Sequence, residues 1–170
     1  MVVIHTELKL GGTETYYLRI AKECRIQKKQ FIIILVKESY NKDIYNKLLE
    51  ENSKIIFYYE LLIFNKLLFQ LLPTASPLKM DILKNLLSEE KLIYVANTFS
   101  LALAVRLNNY FNNSFKILVG FHHSMEFIWG YNKPTLIPYY EKMIRNLIFK
   151  KMPKENILPY NNTTKNRIEK

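Results

Sequence analysis

The chain has 170 residues, 49% of them hydrophobic and 24% charged, which suits one compact globular domain and excludes an intrinsically disordered composition. Four glycines exclude collagen-like material, and a single cysteine, Cys24, excludes an intrachain disulfide and a cysteine-based zinc cluster. Twenty-five basic residues against 15 acidic ones give a net charge of +10, which favours phosphates, nucleic acid or an acidic membrane surface as partners.

The elements follow in chain order. Val2 to Thr6 is a short β-branched run, followed by a loop containing Gly11 and Gly12. Tyr17, Ile20, Ala21 and Cys24 then fall at i, i+3, i+4 and i+7, the spacing of one helix face. Phe31 to Val36 is unbroken and apolar, fit for a strand buried on both faces. Ile44, Tyr45, Leu48 and Leu49 make a second helical stripe, and Ile55 to Tyr59 reads as a third strand. Leu61 to Leu72 reads as a helix stopped by Pro73; as a helix it would be about 18 Å long, too short for a hydrocarbon core of about 30 Å. Pro77 can open a further helix with Met80, Leu83 and Leu87 on one face.

Leu92 to Ala96 reads as a fourth strand, and Ser100 as the N-cap of a helix running to about Tyr110. A fifth strand spans Phe115 to Phe121 and leads into His122 and His123. A basic amphipathic helix is expected from about Thr135 to Lys151, a short strand from Ile157 to Tyr160, and the start of a helix from Thr163. Strands alternating with helices predict a Rossmann-like, three-layer α/β/α domain with a mostly parallel sheet. Ligands in such folds sit at the carboxyl ends of the strands. That directs attention to the segments after the first and fifth strands.

Gly11 and Gly12 open a helix, where backbone N–H groups attract phosphate and missing side chains allow close approach; a tight turn without a ligand uses the same residues. Gly-x-Gly-x-x-Gly and the P-loop Gly-Lys-Ser/Thr are both absent, and Glu14 suits the helix start through the macrodipole. One of His122 and His123 can face the crevice as a base or a hydrogen-bonding group, or can serve the core alone. His5 is the remaining histidine and no His-x-x-x-His spacing occurs, so no metal site is expected. Gly-x-Ser-x-Gly is missing, and Cys24 lies on an apolar helix face rather than as a nucleophile. Trp129 and the tyrosines are too scattered along the chain to read as a single-strand stacking platform.

Gly11-Gly12-Thr13-Glu14, followed by Tyr17-Leu18-Arg19-Ile20-Ala21-Lys22, resembles the start of glycosyltransferase family 4 enzymes. The block Ile117-Leu118-Val119-Gly120-Phe121-His122 is similar to that family's strand ending in a histidine. Tyr139 to Lys142 and Ile157 to Asn161 fall where the family places its next helix and short strand. The resemblance covers essentially the entire chain and implies one half of a GT-B fold. Residues 1–170 would form the N-terminal, acceptor-side domain, with the family's C-terminal donor-binding domain absent.

By this resemblance the donor substrate is a nucleotide-sugar, with no metal or other cofactor. Gly11, Gly12 and Thr13 would approach the donor diphosphate. His122 would line the reaction centre, with His123 as the fallback. The acceptor would be a glycan or a lipid-linked sugar in polysaccharide or glycolipid synthesis. Lys142, Arg145, Lys150 and Lys151 would contact that acceptor or an anionic membrane.

From Lys133 to Lys170 there are nine basic and three acidic residues, which supports the anionic contact, although lysine at 20 against five arginines also fits an AT-rich coding bias. A donor-binding domain or second chain is the implied partner, and the isolated chain is expected to be inactive. The alternative reading is a non-catalytic remnant or partner subunit on an anionic membrane surface; a basic nucleic-acid binder is the third. The N-terminus lacks a signal-peptide pattern. The expected location is therefore the cytoplasm, peripheral to the inner face of the membrane.

Overall fold

The computed structural model describes residues 1–63, 78–88, 90–96, 98–112, 114–120 and 156–158. In chain order these form β1 (Val2–His5), α1 (Gly12–Ile26), β2 (Ile32–Leu35), α2 (Lys42–Glu50) and β3 (Lys54–Phe57). A 3₁₀ turn (Tyr58–Leu61) comes next, then α3 (Met80–Leu87), β4 (Leu92–Val95), α4 (Thr98–Tyr110), β5 (Lys116–Gly120) and β6 (Ile157–Leu158). The strands make a parallel sheet in the order β3-β2-β1-β4-β5-β6, a Rossmann-like α/β arrangement. The chain divides into two compact units, Met1–Leu92 and Ile93–Lys170.

In the first unit β1 pairs with β2 in register Val2 to Ile32, and β2 with β3 in register Ile32 to Lys54. Val2, Val3, Ile4 and all of β2 are fully buried, as expected of parallel strands covered on both faces. Helix α1 turns Glu14, Tyr17 and Ala21 inward, which are i, i+3 and i+7. Helix α2 turns Ile44 and Leu48 inward, whereas Leu49 remains 45% exposed and lies off the buried stripe. Its N-terminus is capped by Asn41, whose side chain accepts from the N–H groups of Asp43 and Ile44 at 3.0 and 3.1 Å.

Helices α1, α2 and α4 end in the left-handed backbone region without glycine, at Lys28 (φ 54°), Asn52 (φ 59°) and Asn112 (φ 53°). After α1 the N–H of Lys29 donates to Cys24 C=O and that of Lys28 to Arg25 C=O. After α2 the N–H of Ser53 donates to Leu48 C=O and that of Asn52 to Leu49 C=O. Both are Schellman closures that satisfy the last carbonyls of the helix.

In the second unit α4 buries Leu101, Ala102, Leu103, Ala104 and Leu107, and so is apolar almost all round. Asn108 Oδ1 accepts from Phe115 N–H at 2.9 Å and ties α4 to the entry of β5. At the far end of β5, Gly120 lies directly against the Tyr94 phenol: a Cβ there would overlap the ring and its hydroxyl. β6 is a two-residue strand parallel to β5.

Three expectations shift. The third strand ends at Phe57 because Tyr58 and Tyr59 enter the 3₁₀ turn, with the Glu60 carboxylate accepting Phe57 N–H at 3.3 Å. Leu61 belongs to that turn and Leu62 bridges Leu78, so no helix begins at Leu61; α3 starts at Met80, three residues after Pro77. Ser100 is not an N-cap, because α4 begins two residues earlier and encloses it, fully buried. The rest of the expected helix after Ile63, the helix from Thr135 to Lys151 and the segment from Thr163 lie outside the described residues.

Candidate functional site

The carboxyl end of β1 carries His5, and the loop after it returns the chain to Gly11 at the start of α1. Gly11 is extended and has no side chain to cap the helix; its carbonyl accepts from Thr15 N–H at 3.2 Å and Thr15 Oγ1–H at 3.0 Å. Gly11 and Gly12 are exposed and Thr13 is half-buried. The two glycines differ in what they permit. A Cβ on Gly11 would sit 3.0 Å from Glu14 Oε2, so this glycine makes room for a carboxylate of the chain itself. A Cβ on Gly12 would meet nothing within 4 Å, so space is open on that side of the helix start.

Glu14 is 94% buried and folds back over the loop. Its Oε1 accepts from Lys9 N–H at 3.0 Å and lies 3.6 Å from His5 Nε2. The other ring nitrogen, Nδ1, is 3.1 Å from the Tyr17 hydroxyl, and the two rings meet edge to face with centroids 5.1 Å apart. The Nε2–H tautomer suits both neighbours: it presents its proton to the carboxylate and accepts from the phenol. Burial pushes the Glu14 carboxyl up, but the His5 ring and the N–H groups of Lys9 and of Glu14 itself outweigh it and hold the pKa below its ordinary value. Both nitrogens of His5 therefore face the protein, so Tyr17, His5 and Glu14 act together to fix the β1–α1 turn.

Beside this turn Glu7 receives Lys9 Nζ at 2.9 Å, with Lys37 Nζ at 3.9 Å. Burial raises the Glu7 carboxyl, but Lys9, Lys37 and the Ser39 hydroxyl pull it below its ordinary value. The loop after β2 is tied to the same edge: Leu8 N–H donates to Ser39 C=O at 3.1 Å and Asn41 N–H to Leu8 C=O at 2.7 Å.

The expected donor-binding residues Gly11, Gly12 and Thr13 thus share one turn. His122, its fallback His123, and Lys142, Arg145, Lys150 and Lys151 lie outside the described residues. Pattern reading missed two groupings. One is the trio His5, Glu14 and Tyr17; its signal was that Glu14 extends the buried stripe of Tyr17 and Ala21 by one helical turn. The other gathers tyrosines that are scattered in sequence. Tyr45 and Tyr40 have centroids 4.6 Å apart, Tyr40 and Phe57 5.9 Å, and Phe57 and Tyr59 5.8 Å with rings stacked at 19°. The Tyr59 phenol is pushed up by its hydrogen bond to Glu38 and then by burial.

No group of three or more His, Cys, Asp or Glu side chains placed to hold a metal occurs among the described residues. No described helix is long and apolar enough to cross a membrane. In comparison with known proteins the chain matches no family model, no curated protein and no solved structure.

Proposed function

We propose that this Rossmann-like chain is the acceptor-side half of a sugar transferase of the kind it resembles, glycosyltransferase family 4. It takes a glycan or lipid-linked acceptor, and the diphosphate of a nucleotide-sugar donor approaches the turn of Gly11, Gly12 and Thr13. A donor-binding domain, in the same polypeptide or in a second chain, holds the rest of the nucleotide-sugar. His122, or His123 beside it, would face the transferred sugar, and the basic residues from Lys142 to Lys151 the acceptor's anionic part.

The observation that supports this reading is the open space at Gly12, at the N-terminus of the first helix after β1. Helix-start amides carry partial positive charge, and a diphosphate there would be met without a metal. The Glu14 carboxylate takes Lys9 N–H, its own N–H and the side of His5, and lies against Gly11, which leaves the Gly12 side open.

The test titrates the chain with a panel of nucleotide-sugars and follows backbone amide resonances. Binding is expected to move Gly12 and Thr13 first. A Cβ at position 12 meets nothing within 4 Å, so Gly12→Val should keep its thermal stability while affinity drops about tenfold or more. Undiminished affinity in Gly12→Val, or no nucleotide-sugar moving these amides, would overturn the reading.

A further inference from the structure

We draw no further inference here: the strongest candidate, the exposed basic patch of Lys22, Arg25, Lys28 and Lys29 around Ile26 at the C-terminal end of α1, has its Arg25 paired with Glu51 and its other cations suited to the helix dipole, and nothing in the structure shows what covers it.

Discussion

Glu14 sits in the first turn of α1, where a carboxylate meets the positive end of the helix dipole, yet most of its contacts lie elsewhere. It closes the β1–α1 loop through Lys9 N–H and stands beside His5, which in turn meets the buried Tyr17. Its helix position was legible in the sequence. Its partners were not, because they depend on the last residue of a strand and the first turns of the next helix meeting at one sheet edge. Glu14→Gln is expected to lower stability by about 1–3 kcal/mol at neutral pH, since a charge-assisted bond is lost at a buried position. The folded-state pKa of Glu14 lies below its ordinary 4.5, so its stabilisation is complete above that value and disappears as pH falls through the folded-state pKa. Urea unfolding of both proteins over this range should show the gap narrowing in acid; a constant gap would mean that the carboxylate charge does not contribute.

Helix ends show how this chain manages with four glycines. Three helices stop on Lys28, Asn52 and Asn112 in the left-handed region, where glycine would ordinarily be found. Asparagine tolerates that region better than lysine does. Lys28→Gly should therefore raise stability by about 1 kcal/mol, and Asn52→Gly by less, read as shifts in thermal midpoint. A fall on Lys28→Gly would mean that the lysine side chain contributes more than its backbone costs. Periodicity located α1, α2 and β2 well, because Tyr17 with Ala21, Ile44 with Leu48, and the run around Ile32 to Leu35 follow burial directly. Boundaries were harder to read. Ser100 has the chemistry of a cap, but Thr98 already lies in the helix, and Tyr58 has the propensity of a strand residue but is buried within a turn.

At the scale of the molecule, the alternation of strands and helices was sufficient to read a parallel Rossmann-like sheet, because few topologies satisfy short right-handed crossovers. The aromatic grouping was not readable, since Tyr40, Tyr45, Phe57 and Tyr59 come from separate elements whose meeting depends on the sheet register. Charge is also uneven: nine basic residues against three acidic ones lie between Lys133 and Lys170. The chain should accordingly sediment with anionic vesicles more than with neutral ones at low salt, with about 1 kcal/mol from each lysine that nears the surface, and release as salt rises. Equal sedimentation with both vesicle types would assign those lysines to solvent alone.

Tyr94 and Gly120 face each other inside the second unit, and the phenol occupies the volume that any side chain at position 120 would need. The two positions are therefore bound to one another in the course of sequence drift. Gly120→Ala by itself forces a buried ring aside, and becomes tolerable only after Tyr94 has given way to something smaller, such as leucine. Across diverging copies of this chain the pair should change jointly or not at all, leaving a covariation signal at the end of β5, next to the paired histidines.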